Sequence, residues 1–229
     1  MVGENILIAS AHQIAGIGFT SQRTRTRMIR RLIDRGIENE NLLQVLATVP
    51  RHLFVDEAIS TRAYEDVALP IGEGQTISQP YAVARMTEIL LDEGPVGRVL
   101  EVGTGSGYQA AVLSQLVDVV FTVERIRSLL DKARKRFKAL QYRNIHTRYS
   151  DGSWGWASHG SFDAIMVTAA PTRVPMPLLE QLAIGGRMIV PVGGQDGAQA
   201  LTIITRTKTG FTYREESDVK FVPFLSGKS

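Results

Sequence analysis

Cysteine is absent from all 229 residues. That single lack excludes disulfide staples, thiolate nucleophiles and cysteine-based metal sites together. Histidine is scarce, and His12, His52, His146 and His159 show no paired ligand spacing, so a structural metal is not expected. No apolar run approaches the roughly 20 residues that a membrane-spanning helix needs. A basic leader with a small-residue cleavage pattern is missing as well, and the chain is expected to be cytoplasmic with no membrane partner. Repeats and low-complexity tracts are also lacking.

What is present suits one large domain, because 44% hydrophobic residues can fill a substantial core. The net charge of +3 is unevenly spread. Residues 1–35 hold six Arg against Glu4 and Asp34, which leaves 20 basic and 21 acidic residues in the remainder. Within "SQRTRTRMIRRLIDRG", Met28, Ile29, Leu32 and Ile33 share one helical face and arginines cover the rest. A solvated face over a packed stripe is the expected reading, and the alternative is contact with nucleic acid or a membrane surface.

Helical patterns are expected at 22–35 and 39–48, followed by a loop-rich stretch over 49–79 punctuated by Pro50, Pro70, Gly72 and Gly74. A helix from Pro80 carries Val83, Met86, Ile89 and Leu90 inward. Beyond it the chain alternates between strands ("RVLEV", "VVFTVE", "NIHTRY", "FDAIMVTA", "GRMIVPV") and helices ("QAAVLSQL", "SLLDKARKRFKAL", "PMPLLEQL"). Such alternation predicts an α/β, Rossmann-like doubly wound sheet, mostly parallel and covered on both faces. "ALTIITRT" and "FTYREES", joined at Gly210, add antiparallel C-terminal strands. The expected division is an extension over 1–21, disordered, and one domain over 22–229. In that domain an N-terminal helical and loop part (22–95) lies over a core (96–229).

"VLEVGTGSGY" sets Gly103, Gly105 and Gly107 between the first core strand and its helix. Such a turn lets a ligand approach the backbone at the carboxyl ends of the strands. The spacing G-x-G-x-G differs from the dinucleotide pattern G-x-G-x-x-G. Glu124 ends the next strand 21 residues after Gly103, where a carboxylate accepts from ribose hydroxyls. The alternative for Glu124 is a solvated acid paired with Arg125. Asp151 and Gly152 end the third strand, at the place for an adenine contact or for a simple Asx turn.

These residues resemble the class I S-adenosylmethionine-dependent methyltransferases. "ALPIGEGQTISQPY", "VLEVGTGSGY", "VERI", "FDAIMVTAAP", "GGRMIVPVG" and "VKFVPFL", in order from about Arg27 to Leu225, resemble the protein-L-isoaspartate O-methyltransferase family in particular. Two departures stand out: Ala82 where the family usually has methionine, and Ser153 where bacterial relatives often have tryptophan. The resemblance implies a repair enzyme. It would move a methyl group from S-adenosyl-L-methionine, leaving S-adenosyl-L-homocysteine, to the free α-carboxylate of L-isoaspartyl residues in damaged proteins and peptides. It also implies a monomer that needs no nucleic acid.

By the same resemblance Ser78 is the active-site serine, orienting the carboxylate rather than attacking it. Thr76, Glu101, Gly103, Thr104, Gly105, Gly107, Glu124, Asp151 and Gly152 fall at cofactor-site positions, and Ile77, Ser78 and Val222 at substrate positions. The alternatives stay open at this point. Ser78 can cap the Pro80 helix, Glu101 can order the glycine loop, and Val222 can belong to a packed edge strand. Trp154 and Trp156 read as packing residues. Three competing functions also stand: a nucleic-acid methyltransferase, although "TAAP" follows the fourth strand and no cysteine nucleophile exists; a dinucleotide oxidoreductase; and a non-catalytic nucleoside sensor.

Overall fold

The computed structural model describes residues 8–92, 94–194 and 197–229. Residues 1–7 of the expected extension lie outside the described residues. Three helices come first: α1 (Ala11–Ala15), α2 (Gln22–Asp34) and α3 (Glu40–Thr48). The described part of the extension makes hydrogen bonds to the rest of the chain. His52 Nε2 pairs with the Gln13 carbonyl at 2.8 Å, and Arg25 donates to the carbonyls of Ile14 and Ala15. Helix α2 buries Met28 and Leu32 and leaves Arg23, Arg27 and Arg30 exposed, the solvated-face arrangement.

The stretch expected as loop contains an antiparallel hairpin, β1 (Leu69–Gly72) and β2 (Gln75–Ile77). Helix α4 (Pro80–Asp92) follows at once, with Pro80 in the first turn where its missing N–H costs nothing. Its opening donors are not capped by the adjacent Ser78 or Gln79 side chain. Asp66 Oδ1 accepts from the Tyr81 N–H at 3.0 Å, and Asp66 Oδ2 binds Arg35. A carboxylate at a helix start also meets the positive end of the helix dipole.

The core then alternates as β3 (Arg98–Val102), α5 (Tyr108–Leu113), β4 (Val119–Glu124), α6 (Arg127–Ala139), β5 (Ile145–Tyr149), β6 (Phe162–Val167), α7 (Met176–Leu179), β7 (Leu182–Val192), β8 (Gln199–Arg206) and β9 (Phe211–Val219). Helix α7 is shorter than the expected "PMPLLEQL", because Leu182 already pairs with Phe162 as the start of β7. The sheet order is β5-β4-β3-β6-β7-β8-β9. Strands β3 to β7 run parallel, while β8 and β9 are antiparallel, as expected from the sequence.

Strands β3, β4 and β6 are buried along almost their whole length, as central strands covered on both faces must be. One core joins the sheet to α2 to α5 and to Ala133 and Phe137 of α6. The other holds Leu100, Phe121, Phe162, Leu178 and Met188 on the opposite face. Chain order reverses between β3 and β6, and this opens a crevice at their carboxyl ends.

Candidate active site

The crevice is a cleft lined by the turn after β3, the end of β4, the hairpin strand β2, Thr168 after β6 and the segment Phe221–Leu225. Gly103 has φ +102°, and a Cβ there would stand 2.4 Å from Thr168 Oγ1, so only glycine fits. Thr168 Oγ1 in turn donates to the Gly103 carbonyl at 2.7 Å, which fixes the turn against β6. Gly103, Thr104, Gly105 and Gly152 line the cleft. Gly107 does not. A Cβ on it would lie 2.7 Å from the Phe137 ring, so this glycine lets α5 approach α6.

Glu124 is buried at the end of β4 and faces the cleft. Its Oε2 accepts from the Gly105 N–H at 2.8 Å, and its Oε1 accepts from the Arg125 and Ile126 N–H groups at 2.8 and 2.9 Å. No ion pair with the Arg125 side chain forms among the described residues; Arg125 Nε donates to the Gly227 carbonyl. Backbone donors thus hold the carboxylate in one orientation, and carboxylate oxygens keep lone pairs for hydroxyl donors.

Glu101 is not on the cleft surface. It is fully buried in β3 behind the glycine turn and accepts from Thr122 Oγ1 at 2.5 Å. Thr122 Oγ1 also lies 2.6 Å from Thr104 Oγ1, so the chain Glu101–Thr122–Thr104 ties the turn to two strands. This is the loop-ordering alternative. Burial pushes the Glu101 carboxyl up to about 8, with the Thr122 donation opposing and nearby Glu124 adding to the rise.

Asp151 likewise does not line the cleft, although Gly152 beside it does. Its Oδ1 accepts from Ser153 N–H and Oγ at 2.9 and 2.7 Å, and its Oδ2 accepts from the Gly227 N–H at 2.5 Å. Burial alone would raise its carboxyl, but the Gly227 and Ser153 donors, with Arg125 nearby, hold it below the usual range. The Asx-turn alternative describes its contacts. Trp154 is 66% exposed and Trp156 packs edge-on to Phe121, so neither lines the cleft.

A second cleft lies beside the first and is lined by α4 residues Tyr81, Ala82 and Arg85, by Arg35, and by the segment Asp218–Val222. The two share one wall made of Thr76, Ser78, Met86, Thr168, Phe221 and Val222. Ile77 faces only the first. Segment 221–224 is set by Gln199, whose Oε1 accepts from the Phe221 N–H at 2.7 Å, and by Ala170, which donates to the Val222 carbonyl at 2.8 Å. Val222 is therefore both packed and cleft-lining. Ser78 is half-buried on the shared wall, and its hydroxyl makes no hydrogen bond among the described residues, Asp66 having taken the capping role.

Thr168, Phe221 and Met86 were not expected at the site. The sheet order, which could have pointed to the end of β6, is a tertiary property. The cleft brings together a glycine turn and a carboxylate held by backbone donors, and there is no group of three or more potential metal ligands among the described residues.

The model of the protein-L-isoaspartate(D-aspartate) O-methyltransferase family matches residues 23–229. The chain belongs to that family. It is 56% identical over 208 residues to a protein-L-isoaspartate O-methyltransferase of Pseudomonas aeruginosa (strain LESB58), covering 91% of this chain and 98% of that one. A relative of the same name from Methylobacillus flagellatus is 55% identical over 220 residues, covering 95% and 99%. Among solved structures, a protein-L-isoaspartate O-methyltransferase superposes with TM-score 0.78 at 26% identity over 87% of this chain and 65% of that longer one. A Plasmodium falciparum structure described as such an enzyme in complex with S-adenosyl-L-homocysteine gives 0.76 at 25% identity, covering 88% and 98%. Membership makes this protein-L-isoaspartate O-methyltransferase dependent on S-adenosylmethionine and a repair enzyme. No helix among the described residues is long and apolar enough to cross a membrane.

Proposed function

We propose that the chain methylates the free α-carboxylate of L-isoaspartyl residues in damaged proteins and peptides, with the nucleoside donor in the first cleft and the substrate chain in the second. The observation that carries this reading is the shared wall at Ser78, the hydroxyl of which has no hydrogen-bond partner among the described residues. Gly103, Thr104, Gly105, Gly152 and Glu124 would hold S-adenosylmethionine, with Glu124 accepting from its ribose. Thr76 and Ile77 close the cleft from the hairpin side. Gly107, Glu101 and Asp151 act from behind, by packing, by ordering the glycine turn and by fixing the segment at Gly227.

S-adenosylmethionine supplies a methyl group already activated by a positively charged sulfur. An isoaspartyl carboxylate is ionised at neutral pH, so no strong base is needed. The chain's task is to align and to dehydrate. Ser78 donates one hydrogen bond to the carboxylate and leaves its other oxygen directed toward the first cleft. Such orientation supplies roughly 7–11 kcal/mol when reacting atoms are held near contact. Covalent attack by Ser78 is disfavoured because no histidine stands in either cleft to activate it. Val222 and its neighbours would run beside the substrate peptide as an added strand does. We also read residues 22–229 as a single domain acting as a cytoplasmic monomer.

The test compares methyl transfer from labelled donor to an isoaspartyl peptide and to its aspartyl twin. Label on the isoaspartyl peptide alone is expected. Equal labelling of both, or of nucleic acid in preference, would reject the substrate assignment.

A further inference from the structure

Beneath the Ser78 turn lies a charge that the reading above leaves unused. Arg51 follows Pro50, begins the turn Arg51–Phe54 and is completely buried. Its Nε donates to the Ala63 carbonyl and its Nη2 to the Ser78 carbonyl, each at 2.7 Å. The guanidinium lies 4.8 Å from the centroid of the Tyr108 ring, which lines the first cleft. Among the described residues, Arg51 Nη1 and Tyr108 Oη are buried without a hydrogen-bond partner.

No carboxylate pairs with Arg51 among the described residues. The acid whose charge it feels is Asp66, which Arg35 and the Tyr81 N–H already occupy. Burial lowers its pKa, yet arginine starts so high that the group keeps its proton at neutral pH. A buried cation without a counter-ion is costly to fold around. The other cations of the second cleft differ. Arg35 pairs with Asp66, Arg85 pairs with Glu88 and Glu216, and Lys220 is exposed to solvent.

We propose that Arg51 is the positioning residue of the substrate side: it fixes the Ser78 carbonyl and gives the site an uncompensated positive charge that selects an ionised carboxylate. The proposal rests on the assignment of Ser78 to that carboxylate. Arg51 touches neither cleft, so it acts through the Ser78 turn and through its field. In a surrounding of low dielectric, a unit charge within several ångströms changes binding by about tenfold or more. Methylation erases the negative charge of the substrate. A fixed cation therefore holds the acid and releases the neutral ester, and its charge governs affinity and product release rather than the chemical step.

The experiment uses the full chain with S-adenosyl-L-homocysteine bound, so that no sulfonium charge contributes. Binding of an isoaspartyl peptide is compared with that of its α-carboxamide analogue, at low salt and in about 1 M NaCl, where exposed charges are screened over about 3 Å. The wild type is expected to prefer the acid about tenfold or more and to keep that preference in salt. A preference that collapses to unity in salt would assign the attraction to Arg35, Arg85 and Lys220 and overturn the proposal. This arm needs no variant. Arg51→Met is expected to lose the preference while S-adenosyl-L-homocysteine affinity stays within about twofold, and Arg51→Lys to restore part of it. A folded Arg51→Met that keeps the preference, or that loses both affinities equally, would also overturn it. Failure of the underlying reading looks different: Ser78→Ala would then turn over as wild type.

Discussion

The two clefts that meet at Ser78 are built from different material. The first is walled by strand ends and tight turns, and Thr104, Ser106, Gln109 and Glu124 at its floor are buried, although Thr76 on the shared wall is exposed. Glu124 is gripped by three backbone donors, and the glycine turn is locked to Thr168. The second is walled by one side of α4 and by the segment Asp218–Val222, with Arg35, Asp218 and Lys220 exposed. A site that recognises one small molecule gains from groups fixed in advance, because little ordering remains to be done on binding. A site that must accept many peptide sequences gains from solvent-facing side chains that adapt. The contrast predicts that substitutions in the first cleft act on donor affinity and those on the shared wall act on turnover.

The largest effect is expected on that wall. Ser78→Ala should lower single-turnover rates by about one to two orders of magnitude, the worth of a hydrogen bond to a charged group at roughly 1.5–3 kcal/mol. Measurable activity should remain and the melting temperature should not move, since Asp66 caps α4. A drop in melting temperature with turnover per folded molecule unchanged would return Ser78 to a capping role. Next comes the first cleft. Glu124→Ala should weaken donor binding about tenfold or more in calorimetry, with peptide affinity little altered. Equal loss of both would erase the distinction between the clefts.

A smaller effect sharpens the account of Glu101. Its carboxyl is held at about 8 by burial, against 4.5 for an unperturbed glutamate. Between those values the folded chain keeps a proton that the unfolded chain has released, so stability falls as pH rises through this window. Glu101→Gln carries no titrating group and should flatten the fall of melting temperature between about pH 4.5 and about pH 8. A variant as steep as wild type would place the titration elsewhere. The smallest effect is expected from removing the residues before Thr20. The pairings of His52 with Gln13 and of Arg25 with Ile14 and Ala15 would go, lowering the melting temperature slightly, while peptide methylation stays near the full-length rate. A large loss of turnover in a stably folded truncation would bring the arm into the site.

The alternating core was legible because the central strands β3, β4 and β6 are short, mostly apolar runs, and because Gly103 and Glu124 stand at consecutive strand ends. What stayed hidden depends on distance along the chain. The hairpin over residues 69–77 has strands of four and three residues, too short for a period to show. Gly107 reads as a ligand glycine until Phe137 is seen against it, 30 residues later in sequence. Nothing in the sequence signals that Gly227 N–H, 76 residues later, donates to the Asp151 carboxylate. Arg51, in "PRHLF", carries no mark of the carbonyl that it holds at Ser78.

The remote carboxylate that starts α4 also shapes how this protein can vary. Where a serine both opens a helix and serves a reaction, its loss harms folding and chemistry at once, and lineages cannot reveal which mattered. Here Asp66 carries the first duty alone. On the proposed role of Ser78, drift at position 78 would leave a well-folded, abundant protein of low activity, invisible to the quality control that removes unstable chains. Only an accumulation of unrepaired proteins would betray it, so selection at this position acts through damage elsewhere in the cell.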